Sequence, residues 1–246
     1  MRRFTKFTLL LAMLLLASSD LYAYTEFGSG DGTNSTVAGI GNVAEGNFSS
    51  AFGYYNRAEV ISSSAFGNTN TASGQNSSAF GSTNTASNKN SSAFGYSNTA
   101  VGENSSAFGS TNIASGKNSS AFGCYNEASG LESSASGYTN TASGNYSGAF
   151  GYNNKAKGQG SGAFGYYNTV SGGYSSAFGI MNTASGVYYS SAFGYQNTAS
   201  GENSSAFGYY NKAEGNNSSA FGNKSYAKAD NSTAIGYQAT ANESNT

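Results

Sequence analysis

The chain of 246 residues carries 11 basic and 12 acidic side chains, and the formal net charge of −1 leaves no basic excess for binding nucleic acid. It contains no His, which excludes a His-based catalytic triad or general base and removes the commonest neutral metal ligand. Gly, Ser, Asn, Thr and Ala dominate while Pro and Trp are absent, a composition that indicates disorder unless it is periodic.

The N-terminal segment has the features of a secretory signal peptide. Basic residues precede an apolar run over residues 7–17, and Ala23 places a small residue before the predicted cleavage site. The apolar run is too short to span a membrane comfortably. We therefore predict a signal peptide over residues 1–23, a short lead-in over 24–33 and an exported mature chain that begins at Tyr24.

From residue 34 to residue 246 the sequence repeats every fourteen residues, in fifteen copies. We number the positions of each copy from its first Ala, so that Ala79, Phe80 and Gly81 occupy positions 1, 2 and 3. Position 3 is Gly in all fifteen copies, position 6 is Asn in thirteen, and position 8 is Ala in every copy except one. A fixed short period predicts one structural unit stacked on itself. One copy has an additional residue around positions 187–189 without loss of phase, which places the insertion in a loop.

Each copy is predicted to form two short strands joined by two turns. A helix is a poor fit, because most copies contain two Gly and several Ser, Asn and Thr. Residues 77–81 and 84–87 are the expected strands of one copy, and Gly and Asn at the turns accept positive φ. In the second strand charge falls only at positions 7 and 9, as in Arg57 and Glu59, so positions 6 and 8 should face inward. The expected fold is a parallel β-roll.

The Phe column at position 2 can adopt either of two registers. We favour the register that points Phe into the roll, opposite the small Ala of position 8, because a large residue facing a small one fills the gap between two sheets. That register leaves positions 13, 1 and 3 as a smooth outer face. The reverse register places a ladder of Phe outside, where another chain would have to cover it. Both registers predict association through the first strand.

The Asn column at position 6 is predicted to be structural. Stacked identical Asn side chains can pass hydrogen bonds from coil to coil. A column that runs from Asn42 to Asn211 is therefore expected to be scaffold.

The pattern Ser-x-Ala-x-Gly-x-x-x-x-Ala-x-Gly resembles the head repeat of YadA-like trimeric autotransporter adhesins. The last copy is the nearest match, with Asn231, Ser232, Thr233, Ala234, Ile235 and Gly236 aligned to the family's Asn-Ser-Val-Ala-Ile-Gly motif, which is linked to matrix binding. Thr233 departs from the motif's Val, and in most other copies Phe replaces the Ile. The resemblance implies a left-handed parallel β-roll of about fifteen coils, assembled as a homotrimer. It also implies a location at the cell surface (outer membrane) or in the extracellular space, and binding to host extracellular matrix or cell-surface molecules. Family members usually continue into a coiled-coil stalk and a membrane anchor, and neither is expected within residues 34–246.

The repeat offers no constellation for catalysis. Asp occurs at only three positions, so the calcium-binding nonapeptide of other β-rolls is absent. Glu residues are scattered over outward or turn positions, and no Gly-rich stretch forms a phosphate loop. We expect no enzyme activity, no cofactor and no metal site. The single cysteine, Cys124, excludes an internal disulfide and is expected to replace the Ser or Tyr that fills this turn position elsewhere.

Tyrosine at positions 4 and 5 gives the best candidate for a binding surface, because Tyr combines a large contact area with a low entropy cost. The alternative is that turn tyrosines stack on one another and shield the edge of the roll. These candidate residues are Tyr54, Tyr55, Tyr96, Tyr125, Tyr138, Tyr152, Tyr166, Tyr167, Tyr195, Tyr209, Tyr210 and Tyr237.

Two other functions remain open from the sequence. Rows of Thr at position 7 and Ser at position 9 are similar to the faces of ice-binding solenoids, although Arg57, Lys155, Lys157 and Lys212 interrupt them. A structural segment of a phage or surface fibre is the other alternative.

Overall fold

Two strands alternate along every coil of the chain. The computed structural model describes residues 30–246, where it has thirty strands, and the predicted signal peptide lies outside the described residues. The longer strand of each coil belongs to the first sheet: β1 (Thr36–Ile40), β3 (Ser50–Tyr54), β5 (Ser64–Asn68), β7 (Ser78–Ser82), β9 (Ser92–Tyr96), β11 (Ser106–Ser110), β13 (Ser120–Cys124), β15 (Ser134–Tyr138), β17 (Gly148–Tyr152), β19 (Gly162–Tyr166), β21 (Ser176–Ile180), β23 (Ser191–Tyr195), β25 (Ser205–Tyr209), β27 (Ser219–Asn223) and β29 (Thr233–Tyr237).

The second sheet is built from two-residue strands. They are β2 (Val43–Ala44), β4 (Arg57–Ala58), β6 (Thr71–Ala72), β8 (Thr85–Ala86), β10 (Thr99–Ala100), β12 (Ile113–Ala114), β14 (Glu127–Ala128), β16 (Thr141–Ala142), β18 (Lys155–Ala156), β20 (Thr169–Val170), β22 (Thr183–Ala184), β24 (Thr198–Ala199), β26 (Lys212–Ala213), β28 (Tyr226–Ala227) and β30 (Thr240–Ala241).

Each strand pairs in parallel with its counterpart one coil away, and the pairing joins identical positions of the repeat. In the first sheet Phe80 lies opposite Phe94, and in the second Thr85 lies opposite Thr99. The result is two sheets of fifteen strands each. The predicted parallel β-roll with a fourteen-residue coil is confirmed, and at the usual strand spacing its length is roughly 70 Å.

Both turns of a coil are held by the coil before it. Thr83 at position 5 and Asn90 at position 12 have positive φ values of 56° and 55°. Their backbone N–H groups donate to the carbonyl oxygens of Asn68 and Gln75 in the preceding coil, over 2.9 and 2.8 Å. The chain therefore reverses direction at fixed points, and the positive φ is stabilised by a hydrogen bond between coils.

The interior of the roll holds small side chains. Ser at position 13, Ala at position 1, Asn at position 6 and Ala at position 8 are buried in nearly every described coil, and the largest buried apolar side chain is Val170. The outward placement of positions 7 and 9 and the inward placement of positions 6 and 8 are confirmed, since Arg57 is exposed while Asn56 and Ala58 are fully buried.

The favoured register of the Phe column is wrong. Ala79 and Ser77 point inward and are fully buried. Phe80, which follows Ala79 in the strand, therefore points outward and is only half-buried. The cause is the close approach of the two sheets, which leaves room inside for Ala, Ser and Asn but not for a ladder of aromatic rings. Positions 13 and 1 are therefore the interior of the first sheet and not its smooth outer face.

The Asn column is the hydrogen-bonding core of the roll, as predicted. Asn84 Nδ2 lies 2.9 Å from Phe80 O in its own coil, 2.7 Å from Gly95 O in the next coil and 3.0 Å from Asn70 Oδ1 in the preceding coil. The backbone N–H of Asn84 also donates to Asn70 Oδ1, over 3.0 Å. Each Asn thus closes the turn between its two strands and ties three coils together.

The additional residue of the longer copy lies in a turn. It falls between β22 and β23, where residues 186–189 form a wider turn, and Phe178 still pairs with Phe193 in the first sheet. The prediction that the insertion lies in a loop is confirmed, because the ladders on both sides keep their register.

Substitutions at two buried polar positions should lower the free energy of unfolding by very different amounts. Asn112 bonds to Asn98 and to two backbone carbonyls, and its Oδ1 accepts from the N–H and Nδ2 of Asn126. Because Asn112→Ala leaves several of these buried groups without partners, we expect it to lower the free energy of unfolding by about 3 kcal/mol or more.

Ser119→Ala is the matched control. The Ser119 hydroxyl is buried and has no hydrogen-bond partner among the described residues, so its loss should change the free energy of unfolding by less than about 1 kcal/mol. Urea unfolding followed by circular dichroism measures both variants. Equal destabilisation by the two would contradict the structural role of the Asn column.

Candidate binding surfaces

The outward face of the first sheet carries an aromatic stripe, which we call the Phe ladder. From Phe52 to Phe122 the rings stack face to face with centroid separations of 4.7–5.3 Å. Ser136 interrupts the ladder, and Phe122 and Phe150 on either side of it are 41% and 36% exposed. Its rings are Phe52, Phe66, Phe80, Phe94, Phe108, Phe122, Phe150, Phe164, Phe178, Phe193, Phe207 and Phe221.

The tyrosines of positions 4 and 5 form a second surface, the first-turn edge. Position 4 ends each first-sheet strand, and position 5 has positive φ, as at Tyr167 with φ of 57°. Because successive coils repeat this turn in register, tyrosines at the same position stand one above another. Their rings remain accessible, and those of Tyr152 and Tyr96 are 38% and 59% exposed.

The structure gathers most of the predicted tyrosines into three groups. Tyr54 and Tyr55 form an edge-to-face pair, with centroids 4.5 Å apart. Tyr138, Tyr152 and Tyr166 form a stack with separations of 5.3 and 5.0 Å, flanked by Tyr125 and Tyr167. Tyr195 and Tyr209 stack at 5.1 Å, and Tyr210 packs against the edge of Tyr209 at 4.5 Å. Tyr96 and Tyr237 lie apart from these groups.

Packing of the rings against one another perturbs their acidity. The pKa of Tyr152 is raised, chiefly by repulsion from Tyr167 and further by partial burial. The pKa of Tyr210 is raised chiefly by burial and then by Tyr195 and Tyr209. The hydroxyls of Tyr152 and Tyr210 are therefore neutral donors and acceptors at physiological pH.

The residues that match the family motif are divided between the inside and the outside of the last coil. Ser232 and Ala234 are buried in the roll. Ile235 is 70% exposed at position 2, where it continues the Phe ladder. Asn231 and Gly236 have positive φ values of 56° and 129°. Only Thr233 and Ile235 therefore present side chains of the motif on the outer face of the first sheet.

The outward face of the second sheet is flat and mainly hydroxylated, but charges interrupt it. Arg57 and Glu59 form an ion pair with a 2.7 Å Nε to Oε1 distance. Further along, the Tyr226 hydroxyl donates to the carboxylate of Glu214 in the previous coil, and this bond raises the pKa of Tyr226. The ammonium of Lys212 lies 5.9 Å from the centre of the Tyr226 ring. The rows of Thr and Ser are thus broken into short segments.

A further group of exposed aromatic residues, which was not predicted from the sequence, lies on the opposite turn. Tyr146, Tyr174, Tyr188 and Tyr189 occupy position 12 or the insertion beside it. The signal that could have located them is their clustering around the longer copy, in positions that elsewhere are mostly Asn.

Metal and membrane sites were sought in the same part of the chain. Residues 30–246 contain no group of acidic or sulfur side chains arranged to hold a metal ion. No helix within them has the length and apolarity needed to cross a membrane.

Alkaline pH should destabilise the tyrosine groups. A tyrosine whose pKa is raised in the folded state binds its proton more tightly there, so its contribution to stability is complete below the unfolded pKa and is lost as pH rises through the folded pKa. We therefore expect the unfolding temperature to fall above the ordinary tyrosine pKa of 10.0. The absorbance of tyrosinate should appear at higher pH in the native than in the unfolded protein. Replacing Tyr167 with Thr should return the pKa of Tyr152 toward its ordinary value. Unchanged titration in that variant would argue against the coupling.

The YadA head domain repeat matches the chain over most of its length. The matched residues are 31–56, 61–84, 72–98, 86–112, 100–123, 128–154, 156–179, 171–196, 188–211, 199–225, 213–239 and 227–246. No individual curated protein matches the chain. Turn glycines, buried Ala positions and the Asn column of the structure all agree with a roll built from this repeat. The chain therefore belongs to the YadA head domain repeat family.

Proposed function

We propose that the chain is the head of a bacterial surface or secreted adhesin, which acts as a homotrimer and binds host matrix or cell-surface molecules without catalysis. The observation that carries the proposal is the outward Phe ladder on a roll of the YadA head family. The family suggests an adhesin-like surface protein, and the ladder supplies the contact through which copies would associate. Export through the predicted signal peptide belongs to the same proposal.

The Phe ladder is suited to association of identical chains. Its rings follow one line along the roll for roughly 60 Å from Phe52 to Phe221, with one interruption at Ser136. An exposed apolar stripe of this length exceeds what monomers normally leave in water, and it indicates an interface. The rings are flat and already stacked within one chain, so a second and a third copy could cover them without rearrangement. Three ladders around one axis would form a continuous apolar core that a single roll lacks.

Shortening the ladder should weaken the trimer while the coil itself still folds. We expect Phe80→Ser combined with Phe94→Ser to reduce the molar mass of residues 24–246 in size-exclusion chromatography with light scattering. Because each ring is already half-buried in its own roll, covering its remaining exposed part in an interface contributes about 1 kcal/mol per chain. Ser136 shows that a coil accepts Ser at this position.

The reciprocal substitution is the control. Ser136→Phe restores an unbroken ladder and should raise the unfolding temperature of the assembly. A wild-type chain that is a stable monomer at all concentrations would overturn the homotrimer, and an unchanged mass in the double variant would remove the ladder from the interface.

The first-turn edge is the proposed surface for host molecules. Most of its tyrosines are exposed and grouped, and Tyr is enriched at recognition surfaces, where it often supplies the residues that contribute most to binding. The largest group, around Tyr152, Tyr166 and Tyr167, spans four coils. Stacking among the rings limits their rotation, which lowers the entropy lost on binding.

Replacing this group with residues that the repeat itself uses should abolish adhesion without unfolding the roll. Tyr152→Ser, Tyr166→Ser and Tyr167→Thr introduce the residues found at Ser82 and Thr83. We expect retention on a surface coated with extracellular matrix extract to fall at least tenfold, with unchanged molar mass. Adhesion equal to wild type would exclude the first-turn edge as the contact.

Ice binding by the second sheet is the alternative function, since rows of Thr and Ser lie on a flat surface. The ion pair of Arg57 with Glu59 and the Tyr226 bond to Glu214 weaken this alternative, because they place hydrated charges in the rows. A thermal-hysteresis measurement on the wild-type sample in the adhesion experiment separates the two functions. A structural segment of a fibre predicts neither adhesion nor hysteresis.

A further inference from the structure

The second turn of the roll changes character in one part of the chain. In eight of the fifteen copies position 12 is Asn, and neighbouring side chains form an amide ladder such as Asn90 Nδ2 to Asn104 Oδ1 at 2.8 Å. Around the longer copy this ladder is replaced by exposed tyrosines, which we call the second-turn cluster: Tyr146, Tyr174, Tyr188 and Tyr189. The insertion that makes this copy longer places a second aromatic residue beside position 12.

Three of the four rings in the cluster lie close together, and all four are open to solvent. The centroid of Tyr174 is 5.7 Å from that of Tyr189 and 6.5 Å from that of Tyr188, and the two latter rings are 6.1 Å apart. The three rings are 45–59% exposed, and Tyr146 is 52% exposed. Three mutually adjacent rings with accessible faces form a small aromatic platform.

Glycine beneath the rings allows them to lie against the backbone. A Cβ on Gly160 would come within 2.8 Å of the Tyr174 ring, and a Cβ on Gly173 within 2.8 Å of the Tyr188 ring. The backbone below is fixed, because Tyr174 N donates to Gln159 O over 2.7 Å and Tyr189 N donates to Gly173 O over 3.0 Å. The platform is therefore held in place before any ligand binds, which lowers the entropic cost of binding.

Along the second-turn edge the cluster lies between two acidic residues, Glu132 at position 12 one coil before Tyr146 and Glu202 at position 11 one coil after the insertion. Between Glu132 and Glu202 the charged residues are Lys155 and Lys157, and both lie on the second-sheet face at positions 7 and 9. Beside the rings, at position 11, stand the exposed amides of Asn145 and Gln159. Aromatic faces combined with neutral amides and phenol hydroxyls fit a ligand with apolar faces and many hydroxyl groups, and this edge offers no basic side chain between Glu132 and Glu202 to bind an anion.

From this arrangement we propose that the second-turn cluster is a binding site for a neutral carbohydrate. A pyranose ring would lie with its C–H face on the tyrosine rings, while its hydroxyls exchange hydrogen bonds with the tyrosine hydroxyls and the amide of Gln159. The platform spans only a few coils. Its exposed area is far smaller than the roughly 1,000 Å² that a specific protein interface buries. This size favours a saccharide over a second protein. The site goes beyond the adhesin function proposed above, and it does not depend on the Phe ladder or the first-turn edge.

The test uses residues 24–246 and a panel of immobilised neutral oligosaccharides (glucan, mannan and N-acetylglucosamine oligomers), with heparin oligosaccharides as the anionic comparison. We expect the wild-type chain to bind at least one neutral glycan. Tyr174→Asn combined with Tyr189→Asn restores the Asn of regular coils and should weaken that binding at least tenfold. Deletion of Tyr188, which returns the copy to fourteen residues, should weaken it as well.

Phe48→Asn, which removes a 58% exposed aromatic residue at position 12 of a distant coil, is the matched control and should bind the glycan normally. Binding restricted to heparin, absence of binding to every neutral glycan, or equal binding by the Tyr174/Tyr189 variant would each overturn the proposal. A lower molar mass of that variant would also overturn it, because the cluster would then be a contact between copies. Matrix adhesion and trimer mass measured on the same samples keep this outcome separate from the failure of the adhesin function.

Discussion

The narrow space between the two sheets is the constraint on which the rest of this structure depends. Inward positions hold Ser, Ala and Asn, and the coils lie so close that a Cβ on Gly81 would approach Gly95 O to 2.1 Å. Such an interior buries little apolar surface per coil, so the hydrophobic contribution of one roll is small. Hydrogen bonds between coils, above all those of the Asn column, therefore supply a large part of the cohesion.

The same constraint displaces the large apolar residues to the outside. A ladder of Phe that cannot enter the roll still favours removal from water, and in the proposed homotrimer other copies of the chain would cover it. Folding and assembly are then linked, since partners that bind only the folded state stabilise it. In this respect the roll differs from a solenoid with a wide apolar core of its own, which can be stable as a single chain.

The period, the two strands of each coil and the Asn column followed from the sequence because they depend on spacing and turn chemistry alone. The direction of Phe did not, because the width of the interior is a property of the closed coil. A signal was nevertheless present: position 13 is Ser in fourteen of the fifteen copies, with Thr246 in the last, whereas position 2 accepts Ala38, Ser136 and Ile235. A column that tolerates such changes in volume cannot be the core of a close-packed stack. The first-turn tyrosines were predictable because their positions follow from the same spacing as the turns. The second-turn cluster was not predictable, because it depends on the conformation of the inserted residue.

Side chains can change without loss of the fold only at the turns and on the outer faces. Binding sites for other molecules can therefore arise only at these positions. A substitution at position 1, 3, 6, 8 or 13 alters contacts with the coils above and below, so it destabilises three coils at once. Positions 4, 5, 11 and 12 project from a backbone that the preceding coil already holds, as at Tyr174 and Gln159. An insertion there, such as the one at Tyr188, leaves both sheets in register. Aromatic residues therefore accumulate at the two turn edges without loss of the fold, and two separate binding surfaces can form on one roll.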